Sequence, residues 1–225
     1  MLPTETEKLD HILQDMIRLG DKTLKLNEEI LEKLEHGSID NLTEITVYPK
    51  KEWLQDIAKI DTQIIQAFAL YTPEARDLRQ LVAFLKVTNE LDRIVNSSRS
   101  FIRDFPYVLS KDIDKSFILE YAIPLQKTCV IAVQNAVTLF AEDDKQAVTE
   151  LYKAVVVEEG KNDELYKIIE KSLLKKINDD IQLSNEYQGI MFALRRLEKI
   201  ADRALSIAYL MHFAKIGGEI NKMVN

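Results

Sequence analysis

The chain has 225 residues, 46% hydrophobic and 30% charged, with only 6 Gly and 5 Pro. That balance excludes wholesale disorder, and so few turn-forming residues argue for long helices. A net charge of −7 excludes a diffuse nucleic-acid-binding surface, because the densest basic stretch, Arg195, Arg196, Lys199 and Arg203, is interleaved with Glu198 and Asp202.

The single cysteine, Cys129, has Val130, Ile131 and Ala132 beside it and reads as a buried thiol, so folding needs no disulfide. Met1 to Leu13 is charged and lacks an apolar signal core, and no run of 18 apolar residues is present. The expectation is a soluble cytoplasmic protein.

Helical periodicity extends almost end to end. Leu9, Ile12, Leu13, Met16, Ile17, Leu24, Ile30, Leu31 and Leu34 form the stripe of a first helix that stops near Gly37. Ser38 to Tyr48 carries no clear period, and Pro49 opens a second helix. Its inner face holds Trp53, Leu54, Ile57, Ile60, Ile64, Ile65 and Phe68. Thr72, Pro73 and Glu74 suit the start of a third helix as cap, first-turn proline and acid at the positive end. It is expected to reach Asp104, with Pro106 breaking the chain and Phe105 to Asp112 as linker. A fourth helix follows from Ile113 to Phe140, with Pro124 inside it. A fifth, capped by Asp143 or Asp144, extends to Ile177. The sixth spans Ser184 to Ile216 and ends at Gly217 and Gly218.

The expected fold class is therefore all-α, six long helices in two pseudo-symmetric three-helix bundles, residues 1–107 and 112–225. The two halves also share a motif. Leu91-Asp92-Arg93-Ile94-Val95-Asn96 aligns with Leu197-Glu198-Lys199-Ile200-Ala201-Asp202 at an offset of 106 residues, near half the chain, which points to duplication.

Catalytic motifs are absent: no Gly-rich phosphate loop, no G-x-S-x-G, no H-E-x-x-H and no Glu-x-x-His. His11, His36 and His212 are scattered and read as surface or boundary residues. What remains is acidic pairs four residues apart: Glu198 with Asp202, and Glu159 with Asp163. Such pairs repel unless a cation lies between them, and oxygen-only donors suit hard ions such as Mg²⁺, Mn²⁺ or iron. The competing reading is a solvated face with ion pairs from Arg195, Lys199 and Arg203.

Pro73, then Asp77-Leu78-Arg79, then Leu91 to Asn96, resembles the PhoU family of phosphate-transport regulators, which carries P-x-x-x-D-L-R followed by a Leu-Glu-Arg-Ile-Gly-Asp segment. Leu197 to Asp202 with Ala204, Ile207 and Ala208, and upstream Asp144, Ala147 and Asp163-Glu164-Leu165-Tyr166, are similar to the family's later helices. The resemblance implies metal ions on an acidic face, with Fe, Mn, Mg or Zn as the ions concerned. It also implies a non-enzymatic negative regulator linking a phosphate ABC transporter ATPase to a sensor histidine kinase, as monomer or homodimer. Alternatives are a similar scaffold for another permease or process, a metal-dependent helical-bundle enzyme, and a metal-free scaffold.

In the second half both acidic pairs are complete. In the first, Asp92 is followed by Asn96 rather than an acid, and Asp61 is preceded four residues earlier by Ile57, with Asp56 and Glu52 out of register. The expectation is tighter metal binding by Glu198, Asp202, Glu159 and Asp163 than by Asp92, Asn96 and Asp61. Asp77 and Arg79, near the start of the third helix, are candidates for a partner contact.

Overall fold

The computed structural model describes residues 4–109 and 111–217; Met1 and Gly218 lie outside the described residues. All regular structure among the described residues is helical. Helix α1, Glu5–Glu35, starts at a capping box: the Thr4 hydroxyl accepts from the Glu7 amide at 3.3 Å, and the Glu7 carboxylate accepts from the Thr4 amide at 2.8 Å. It ends at His36, and Gly37 takes a φ of 65° that a side chain would resist. The stretch without clear period is a 3₁₀ segment, Ile39–Glu44, which buries Ile39 and Leu42.

Pro49 is the N-cap of α2, Lys50–Leu70. Trp53, Ile57, Ile60 and Ile64 are buried there, but Leu54 and Ile65 are exposed, so the inner face is narrower than the sequence suggested. Helix α3, Ala75–Val108, begins later than expected. Glu74 takes the cap position, no side chain caps the end, and Ala75 sits at a φ of 31°, a strained value for a residue with a Cβ. The helix also continues through Pro106, so the expected break there is wrong. The ring costs one intrahelical hydrogen bond in the last turn, while Phe101 and Phe105 stack at 4.6 Å beneath it and hold the turn in the core.

Helix α4, Lys115–Thr138, is capped by Asp114, which accepts from the amides of Ser116 and Phe117; α5, Lys145–Asp179, is capped by Asp144 through the amide of Ala147. After a 3₁₀ turn at Ile181–Leu183, α6 runs over Ser184–Ile216 and ends at Gly217, φ 90°. By length and composition α4 alone among the described helices could cross a membrane. Here it is a core helix that packs against α1, α5 and α6.

The helices form two three-helix bundles, α1–α3 and α4–α6, laid side by side. The most extensive contact in the molecule joins them, α3 along α6, and α1 packs on α4. One contiguous apolar core therefore extends through both. Buried polar groups tie the halves together: Gln126 of α4 donates to the Asn27 carbonyl of α1 at 2.8 Å, and Ser98 of α3 donates to the Asn27 side chain at 3.3 Å. The second bundle is the tighter one, because α5 lies close against both α4 and α6, whereas α2 touches α1 and α3 only lightly.

Candidate metal centre

Helices α5 and α6 face each other along their middle turns, and their acids meet there. Residues four apart share one side of a helix, so Glu159 and Asp163 of α5 turn toward Glu198 and Asp202 of α6. One oxygen each from Glu159, Asp163 and Asp202 lies within 4.8 Å of the others. Glu198 is not solvated: only 8% of the residue is exposed, and its Oε2 is buried without a hydrogen-bond partner among the described residues.

The electrostatics follow from this crowding. Burial raises the Glu159 carboxyl above its ordinary range, and the charges of Asp163, Asp202 and Glu198 push it further. Burial likewise raises Glu198, while a hydrogen bond from Lys199 opposes the shift. The Lys199 ammonium stands 2.7 Å from Asp202 and 3.1 Å from Glu198. Burial alone would lower its pKa, but these two hydrogen bonds win and raise it. Of the other bases, Lys167 stands 3.9 Å from Asp163, and the Arg195 charge favours ionised Glu198. Arg195 lies over the Tyr166 ring at 5.4 Å, and Arg203 reaches Glu90 of α3 at 3.5 Å. The donor set fits a hard cation: oxygens only, several carboxylates at one point, and one buried oxygen still without a partner.

The first half is built differently. Asp92 Oδ1 accepts from the Trp53 indole at 3.0 Å, and its Oδ2 accepts from the Asn96 amide at 2.9 Å. Asp61 accepts from the Thr88 hydroxyl at 3.1 Å, and burial raises its pKa. These three candidates are thus engaged with neutral donors rather than gathered around a point. The register explains why. At the same 106-residue offset, Trp53 occupies the place of Glu159 and Ile57 that of Asp163, so the indole fills the space that carboxylates hold in the second half. That substitution was legible once the offset was applied to α2 as well as α3. Asp61 lay one turn too far along.

Other candidates separate. Asp77 is exposed on the rim of a cavity of about 270 Å³ that Arg76, Asp143 and Lys215 also line. Arg79 is half-buried, with its Nε lacking a partner among the described residues. His212 is buried rather than superficial, packed 4.8 Å from the Tyr152 ring. Cys129 is fully buried, donates to the Leu197 carbonyl at 3.0 Å, and has its thiol pushed up to about 12 by burial.

Fold and site together define a class: a six-helix protein of two three-helix bundles with a carboxylate face on the second. Comparison with known proteins shows what this class resembles. The PhoU domain model matches residues 125–211, which cover most of α4, all of α5 and most of α6. A phosphate-specific transport system accessory protein PhoU homolog from Xylella fastidiosa is 22% identical over 90% of this chain and 82% of its own. The homolog of the same name from Borreliella burgdorferi is 22% identical over 96% of both chains. Two crystal structures share the fold: PhoU from Pseudomonas aeruginosa (TM-score 0.73, 22% identity, 95% of this chain and 98% of that one) and the phosphate transport system regulatory protein PhoU from Streptococcus pneumoniae (TM-score 0.79, 15% identity, 96% and 98%). The chain is thus similar to the PhoU proteins in sequence over its second half and in fold over nearly its whole length.

Proposed function

We propose that this protein is a non-enzymatic accessory regulator of a phosphate-specific transport system, and that it works through a metal ion held between α5 and α6. The relatives' names support the first part, since they are accessory proteins of such systems. The observation that carries the second is the convergence of Glu159, Asp163 and Asp202 within 4.8 Å beside the unpartnered buried oxygen of Glu198. In this reading Glu159, Asp163, Glu198 and Asp202 hold the cation, with Fe, Mn, Mg or Zn as the ions to test, and Asp92, Asn96 and Asp61 do not. A bound cation removes the repulsion among these acids and fixes α5 against α6.

The protein then acts in the cytoplasm as an adaptor, repressing uptake and signalling when phosphate is plentiful. Its partners are the transporter ATPase and a sensor histidine kinase, and Asp77 and Arg79 belong to the contact surface. The acidic surface steers encounter with basic partner faces, which sets rate and specificity more than affinity. Elemental analysis of protein purified without chelator or affinity metal, beside Glu198→Gln/Asp202→Asn, tests the centre. Stoichiometric metal lost in the double variant supports it, and metal-free wild type refutes it. Transporter expression in phosphate-rich medium, with the gene deleted and restored, tests the regulatory role separately: expression that stays repressed on deletion counts against it.

A further inference from the structure

The basic residues that alternate with acids along α6 are sorted by the helix. Glu198 and Asp202 turn to α5, whereas Arg196, Lys199 and Arg203 recur at steps of three and four and share the side toward α3. On α3, Arg93, Ser97 and Ser100 are spaced in the same way and face them. With Asn96 these side chains line a groove of about 300 Å³, and none of the lining residues is a carboxylate. From its edge Glu90 reaches Arg93 at 3.3 Å and Arg203 at 3.5 Å, long contacts that engage one nitrogen of each guanidinium, and Arg196 lies near enough to Asp104 to stabilise its charge.

We infer that this groove binds a phosphate-type oxyanion, either free inorganic phosphate or the phosphate of an esterified head group. Guanidinium forks from both helices match the oxygen pairs of a tetrahedral anion, and the hydroxyls of Ser97 and Ser100 add neutral donors to the lining. The chain's charge of −7 repels anions at long range, so capture here is local and short-ranged. The groove does not rest on the metal reading, because its lining is complete without the acids of α5.

The test is equilibrium dialysis of the full chain in EDTA against radiolabelled inorganic phosphate. It is paired with flotation on vesicles containing phosphatidic acid or phosphatidylcholine alone. Arg196→Gln/Ser100→Ala is compared with Arg195→Gln, a change to the adjacent arginine that lies outside the groove lining, and Ser97→Asp places a carboxylate inside it. Circular dichroism confirms that each variant is helical. Saturable binding of one phosphate per chain is expected, weakened about tenfold or more by the groove variants and less than twofold by Arg195→Gln. Binding to phosphatidic acid vesicles alone, with the same variant pattern, assigns the groove to the head group. Binding to neither, or equal loss in Arg195→Gln, overturns the inference.

Discussion

At the scale of single residues, two glycines in helices separate backbone propensity from packing. A Cβ on Gly160, on the outer side of α5, would meet nothing within 4 Å. Gly160→Ala is therefore expected to raise stability by about 0.5–1 kcal/mol through helix propensity alone. A Cβ on Gly189 of α6 would stand 2.6 Å from Val108 Cγ1 and 3.1 Å from its Cβ, at the end of α3. Gly189→Ala must push the two longest-packed helices apart and should cost about 1–3 kcal/mol, read from the urea midpoint. His212 gives a pH signature. Its burial lowers its pKa below 6.5, so the unfolded chain takes up a proton near pH 6.5 that the folded chain refuses. Stability from this group is complete above pH 6.5 and declines as pH falls below it. His212→Phe, which keeps the stack on Tyr152, should remove that decline, seen as a wild-type-minus-variant difference in Tm between pH 7.5 and 5. Taking the difference cancels the carboxylates, such as Asp15, Asp104 and Asp143, that titrate in both proteins.

At the scale of helix pairs, α5–α6 and α2–α3 hold equivalent places in the two halves but are built differently. Asp92 satisfies the Trp53 indole, so Asp92→Ala strands a donor on a buried side chain and should cost about 1–3 kcal/mol without changing metal content. Glu159→Gln/Asp202→Asn should leave metal-free stability unchanged or raised, since it relieves repulsion, yet abolish the gain on adding metal. For wild type that gain is about 2.7 kcal/mol at a hundredfold excess over Kd. Thermal melts with EDTA and with Mn²⁺ check both variants. If Asp92→Ala removes the metal-induced gain as fully as the α5–α6 variant, the assignment of roles is wrong. Much at this scale was legible in sequence. The apolar stripes, the caps at Pro49 and Asp144 and the termination at Gly217 placed the helices, because these signals are local. Contacts between distant segments were not. The stacked pair Phe101 and Phe105 carries α3 through Pro106, and the missing cap at Thr72 reflects how the chain leaves α2. Spacing gave the acidic pairs of α5 and α6, but whether Glu198 faced water or protein depended on α5 packing over it. For the same reason the bases of α6 looked merely interleaved until α3 lay beside them.

At the scale of the whole molecule, Lys199 lies between the two sites. Its ammonium hydrogen-bonds Asp202 and Glu198 on one side, while the same side chain lines the α3–α6 groove on the other. A cation among the carboxylates competes for the oxygens that hold the ammonium and repels it, and the free direction is toward the groove. The two sites are then coupled through one side chain, and coupling is reciprocal: whatever metal does to anion affinity, the anion does to metal affinity. The expected sign is positive, with phosphate binding at least fivefold tighter when Mg²⁺ is present in excess. Lys199→Gln removes the shared charge. Its metal-free Tm should fall, since Glu198 and Asp202 lose the ammonium that hydrogen-bonds both, and its gain in Tm on adding Mg²⁺ should exceed that of wild type. The fivefold coupling should vanish in the variant while each ligand still binds alone. Phosphate affinities measured with and without Mg²⁺, for wild type and Lys199→Gln, decide this. Equal coupling in both proteins would mean that the sites communicate through the α6 backbone or not at all, and that Lys199 serves only to neutralise the carboxylates beside it.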